Sequence, residues 1–211
     1  MGFEGFPVAA LDFYDDLEVD NTRSFWEAHK DVYRTSVLAP MKALTAELAE
    51  EFGEAKIFRP YRDVRFSKDK TPYKTHQGAF VRVGDATGYY IEVSPRGVRT
   101  GGGCYHFETA RMAAFRDAIV HDTYGAELER RLAVVEKKGY AVGGDRLKTT
   151  PRGYDKDHPR IELLRHKQLV VDRSLGFEPV IHTADLVAEV RKDWRAVRPV
   201  VEWIAEHTAG A

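Results

Sequence analysis

Apolar residues along the chain change their spacing twice, and the changes mark helical, extended and again helical stretches. Leu11 and Tyr14, with Pro7 ahead of them where a missing N–H does no harm, predict a first helix over residues 7–17. Asn21 is placed to cap a second helix through Phe25, Trp26, His29 and Tyr33, a ladder of large rings at helical spacing. Pro40 should end that helix and restart another, whose stripe Met41, Leu44, Leu48 and Phe52 is closed by Gly53. The aromatics of this quarter are expected to pack into a core.

The spacing then drops to two. Residues 78–83, 89–94 and 98–103 read as strands, joined by the loop 84–88 and by Ser94-Pro95-Arg96-Gly97, a type I turn signature. They predict an antiparallel meander with Ala79, Val81 and Val83 on one face and Tyr89, Ile91 and Val93 on a matching one. Val64 and Phe66 suggest a further strand beside it. Helical spacing returns over 109–120 and 126–138, the second ended by Gly139. A Gly- and Pro-rich loop covers 143–159, and 166–171 reads as one more strand. Thr183 should cap a last helix that carries Leu186, Val190 and Trp194 and continues through Val201 and Ile204 around Pro199. The expected class is α+β: an antiparallel sheet, the meander plus additional strands, packed with N-terminal, central and C-terminal helices. No repeat or linker divides residues 1–211, so one domain is expected.

Composition narrows the class further. The 211 residues carry 32 Lys and Arg against 33 Asp and Glu, a net charge of -1. That balance argues against a uniformly positive surface but leaves room for a local basic patch. No apolar run approaches the about 20 residues that span a bilayer. Residues 1–16 lack a basic start, and Asp12, Asp15 and Asp16 interrupt their apolar positions, so no signal peptide and no membrane partner are expected. A single cysteine, Cys104, excludes an internal disulfide framework and a multi-cysteine zinc site. A cytoplasmic location fits.

One segment stands out. Residues 59–76 hold six basic residues (Arg59, Arg62, Arg65, Lys68, Lys70 and Lys74) and two acids (Asp63 and Asp69), a local charge of +4, which leaves -5 for the rest of the chain. If Val64 and Phe66 face the core, strand alternation turns Asp63, Arg65 and Ser67 the other way. Asp63 could then orient Arg65 and leave part of its guanidinium for an oxyanion. Lys68 and Lys70 follow on a loop stiffened by Pro72, with Tyr73 and Lys74 beyond. These are groups that hold phosphate or carboxylate, although basic loop residues are also commonly just solvated.

The string RDVRFSKDKTPYKTH, with the opening GFPVAALDFYDDLEVDNTRSFWEAHKDVY and the later PRGYDKDHP and LLRHKQLVV, resembles the bacterial domain-of-unknown-function family 2461 from Phe3 to about Trp203. The resemblance implies a single α+β domain, typically cytoplasmic, and brings no established activity or catalytic residues. Ser24-Phe25-Trp26 stands where the family pattern has the two aromatics in the reverse order.

Other motifs are weaker. Ser67-Lys68-Asp69-Lys70 matches the S-x-x-K of a serine nucleophile and its lysine, but lies in a charged loop without the partner motifs. Gly101-Gly102-Gly103 completes neither a dinucleotide fingerprint nor a phosphate loop; it reads as a tight exit from the sheet, or as backbone donors for an anion at Gly102 and Gly103. Cys104 and His106 could pair as thiolate and imidazole, although a lone cysteine is usually a small buried hydrophobe. His76, His106, His158 and His166 show no metal-ligand spacing, and no cofactor or metal is expected.

The leading reading is a basic pocket for a small phosphorylated or carboxylated ligand. Arg62, Arg65, Lys68, Lys70 and Lys74 supply charge, Asp63 orientation, Tyr73 a hydrogen bond, and Gly102 and Gly103 backbone donors. If the site is catalytic, His76 or His106 carries the proton. The alternative is a nucleic-acid module presenting Tyr89, Tyr90, Arg82 and Arg96 to a single strand. A third reading is a protein-interaction domain whose basic stretch meets an acidic partner.

Overall fold

Helices follow one another almost without interruption at the start of the computed structural model, which describes residues 2–65 and 68–210. Helix α1 spans Val8–Val19, α2 spans Arg23–Val32, and α3 spans Ala39–Phe52. Thr22, not Asn21, caps α2: its hydroxyl accepts from the Phe25 N–H at 3.3 Å. Pro40 does not break the chain's helical course. A π-helical turn, Tyr33–Leu38, bridges α2 and α3, and Pro40 sits in the first turn of α3. A regular α turn would drive the proline ring against the carbonyl four residues back, and a wider turn before it avoids that clash.

The strands are β1 (Ala55–Ile57), β2 (Gln77–Gly84), β3 (Thr87–Ser94), β4 (Gly97–Cys104), β5 (Ala141–Gly143) and β6 (Leu169–Gly176). They form one antiparallel sheet in the order β1-β2-β3-β4-β6-β5. The edge strand beside β2 is β1, with Lys56 opposite Phe80; it lies upstream of the place expected around Val64. Val64 is in irregular backbone, and Phe66 lies outside the described residues. The remaining helices are α4 (Thr109–Val120), α5 (Asp122–Lys137), α6 (Ile161–Leu164) and α7 (Leu186–His207). Thr183 does not cap α7 with its side chain, which donates to the Val180 carbonyl at 3.1 Å.

The chain divides into two compact units. The first comprises residues 1–81, 90–100 and 174–192. Its core gathers Leu17, Trp26, Met41, Leu44 and Leu48 from the helices and Ala79, Val81, Ile91, Val93 and Val98 from the strands. Tyr90, Glu92 and Arg99 alternate with those apolar strand positions and therefore share the opposite sheet face. The second unit comprises residues 82–89, 101–173 and 193–211. Tyr89 stacks on Trp194 with ring centroids 5.4 Å apart, and Phe115 packs on Phe107 and Trp203. Val83, expected on the apolar face, is exposed. Buried Arg111 closes part of this unit by donating to the carbonyls of Asp85 and Thr208 and the hydroxyls of Thr87 and Thr208.

Candidate functional site

The basic segment is a loop held at its base. Tyr61 and Tyr73 form an antiparallel bridge, with Arg62 N–H donating to Pro72 O at 2.9 Å and Lys74 N–H to Pro60 O at 2.8 Å. Asn21 clamps the returning strand: its amide donates to Tyr73 O at 3.1 Å and accepts from Tyr73 N–H at 3.0 Å. The Tyr73 ring lies flat on Trp26, centroids 4.4 Å apart, and Tyr61 sits 5.5 Å from Tyr73. Bridge partners point the same way, so the residues beside them, Arg62 and Lys74, turn to the other side. Tyr73, a hydrogen-bonding candidate from sequence, thus gives its ring to packing.

Beyond the bridge the loop ties itself together. Arg62 bonds Asp69 and, at 2.5 Å, the Thr71 hydroxyl, while Asp69 also accepts from the Thr71 N–H and hydroxyl at 2.9 and 2.8 Å. Asp63 holds Arg65 through two hydrogen bonds of 2.9 and 2.6 Å, and the Arg65 side chain is 77% exposed. Lys70 donates to the Val64 carbonyl at 2.9 Å. Lys68 is exposed and makes no hydrogen bond or ion pair among the described residues. Ser67, the nucleophile of the S-x-x-K match, lies outside those residues.

Behind the loop, on the polar face of the first unit's strands, a second group assembles. Glu92 accepts from the Tyr90 hydroxyl at 2.6 Å and from Arg99 at 3.2 Å, and the Arg99 guanidinium lies 5.7 Å over the Tyr90 ring. Burial raises the Glu92 carboxyl, but the hydrogen bonds from Arg99 and Tyr90, with the charges of Arg99 and His76, outweigh it and hold the group below its ordinary range. Gly78 makes room for this arrangement, since a Cβ there would lie 2.5 Å from the Tyr90 hydroxyl. His76 is half-buried and forms no hydrogen bond among the described residues. Burial lowers its pKa first; Glu92 opposes the shift, and the charges of Lys74, Arg99 and Arg62 add to it. Lys74 is itself lowered, by burial and by Arg59 and Arg62, and stands 5.3 Å over the Phe58 ring. Arg62, Lys74 and Arg99 therefore all act on His76, and His76 and Arg99 act on Glu92. Sequence singled out Arg62, Lys74 and His76. It named Tyr90 only for the nucleic-acid reading and missed Arg99 and Glu92, whose only signal was a polar alternation along the second and third meander strands, and Gly78 on the first, which had none.

The other candidates have plainer roles. A Cβ at Gly102 would lie 2.8 Å from Val201 Cγ2, and one at Gly103 would lie 2.2 Å from the Leu169 carbonyl, so close packing by α7 and β6 accounts for both glycines within the second unit. Cys104 is buried and donates to the His106 carbonyl at 3.1 Å; burial raises its thiol, and the His106 imidazole turns instead to Glu108 at 3.1 Å. Tyr89, needed as a stacking platform for a nucleic-acid strand, is buried against Trp194, while Arg82 pairs with Asp85 in solvent. Among the described residues no group of three or more His, Cys, Asp or Glu side chains is placed to hold a metal, and no helix is long and apolar enough to cross a membrane.

Sheet order, helices and the charged loop define an α+β protein whose strands carry a polar network on one face. Its sequence belongs to the family described as conserved hypothetical protein DUF2461, whose model matches residues 9–203. Comparison with curated proteins and with solved structures returned no match.

Proposed function

We propose that the first unit binds a small anion, phosphorylated or carboxylated, at the face shared by Arg62, Lys74, His76 and Arg99. The observation that carries this reading is the half-buried His76 imidazole, which Lys74, Arg99 and Arg62 all influence electrostatically and whose carboxylate neighbour, Glu92, is already engaged by Tyr90 and Arg99. Neighbouring cations help lower Lys74 and His76, and an anion bound beside them relieves that repulsion. Arg65, Lys68 and Lys70 lie on the exposed loop and contribute an attractive field, with Asp63 fixing Arg65. Gly102 and Gly103 are left to packing. His76, neutral at pH 7, is the group able to take a proton from a bound ligand.

Sulfate tests the reading, because it does not titrate near neutrality. At constant ionic strength, sulfate at about ten times its dissociation constant should raise the melting temperature by roughly 3–6 °C. Lys74→Ala or Arg62→Ala should weaken binding by about ten- to a hundredfold, as expected for a lost charge-assisted bond. Arg65→Ala should change it by less than about threefold. Sulfate binding that survives both inner substitutions would remove the site from this face.

A further inference from the structure

The second unit holds a cavity of about 230 Å³ between α5, β5, α6 and the loop that joins β5 to α6. Leu132, Val142 and Leu163 form an apolar wall. Two charged pairs at its border are closed within the protein, Arg160 with Glu129 at 2.8 Å and Arg165 with Glu162 at 2.7 Å. Three groups of the lining remain. Arg146 and Glu136 are exposed, and neither side chain makes a hydrogen bond or ion pair among the described residues. His166 is 1% exposed; its Nδ1 lies 2.7 Å from the Gln168 carbonyl, which fixes the proton there and leaves Nε2 a buried acceptor without a partner. A buried acceptor left unmatched is destabilising, and a donor in the cavity would complete it.

We propose that this cavity binds a small zwitterion, an apolar α-amino acid. Its carboxylate meets the Arg146 guanidinium, whose fork matches that group. Its ammonium, with three donors, meets Glu136 and Nε2 of His166, and its side chain lies against Leu132, Val142 and Leu163. A carboxylate alone brings no donor to the buried Nε2, and an ammonium alone brings nothing that the Arg146 fork can grip. The site is independent of the anion face proposed for the first unit.

The intact protein is titrated at pH 7 with L-leucine, L-valine, L-methionine and L-phenylalanine, each to about 10 mM, and followed by calorimetry and by the ¹⁵N shift of His166 Nε2. Leucine methyl ester lacks the carboxylate, and N-acetyl-leucine lacks the ammonium. The expected result is saturable binding of at least one amino acid with a shift at Nε2, weakened about tenfold or more by either blocking group. Arg146→Gln and Glu136→Gln, at exposed positions where the melting temperature should hold, should each weaken it as much. Lys74→Ala should leave it unchanged, which separates this site from the sulfate site. No binding across the panel, or binding retained by either cavity variant, overturns the proposal.

Discussion

A Cβ at Gly78 would lie 2.5 Å from the Tyr90 hydroxyl and 2.9 Å from its ring, so the glycine exists to let that ring lie across the strand and reach Glu92. Its φ is not in the left-handed region, which makes the requirement one of space rather than backbone conformation. Gly78→Ala should destabilise the protein by about 1–3 kcal/mol in urea unfolding, because an overfilled contact must push the ring aside. Tyr90→Phe keeps the ring and loses only the hydroxyl, so it should lose about 1 kcal/mol. Equal unfolding midpoints for Gly78→Ala and the parent would show that the ring moves freely. Residues of this kind were illegible in the sequence for a physical reason. Arg62, Lys74 and His76 advertise themselves by local charge, whereas Gly78, Glu92 and Arg99 become neighbours only through strand register, which no single strand encodes.

Elements were read best where their periodicity was long. The meander and the helices at 109–120 and 126–138 were visible as changes of spacing, and α4 has the predicted bounds. Failures fell where a side chain served a distant partner. Asn21 looked like a helix cap because its type and place suited one, yet its amide is spent on the backbone of Tyr73, 52 residues away. Pro40 looked like a break because the adjoining π turn has no signature in composition. Val64 looked like a strand because it alternates with charge, but its segment closes on itself through Arg62, Asp69 and Thr71. The Asn21 clamp carries its own expectation. Asn21→Ala should destabilise by about 1–2 kcal/mol, since two backbone bonds are lost. Hydrogen exchange at the Tyr73 amide should accelerate, while exchange in α4 stays slow. Unchanged protection of Tyr73 would mean that the stack on Trp26 holds the loop without the clamp.

For the whole molecule, the titrations of His76, His166 and Glu92 all point the same way with pH. Burial is the leading cause for both histidines; Lys74, Arg99 and Arg62 add to it at His76 against Glu92, and Arg146 adds to it at His166 against the Gln168 carbonyl and Glu162. Above the ordinary histidine value of 6.5, both the folded and the unfolded imidazoles are neutral and their contribution to stability is complete. As pH falls below it, the unfolded chain takes up protons that the folded imidazoles refuse, so stability declines until the folded values are passed. Glu92 adds a lower window: unfolded, it is protonated near 4.5, while the folded carboxylate resists, so its contribution is lost as pH falls through its depressed value. Melting temperatures from pH 8 to pH 3 should therefore fall in two stages. His76→Gln should remove part of the upper stage only, and a curve flat between about pH 7.5 and 5.5 would contradict the burial of both rings.

The proposed anion face is tested most directly by the pKa of His76, followed by NMR with and without saturating sulfate. An anion seated among Arg62, Lys74 and Arg99 cancels the charges that lower this imidazole, so its pKa should rise, and by linkage sulfate should bind more tightly at pH 5.5 than at pH 8. A His76 titration that sulfate leaves unmoved would contradict an anion site on this face.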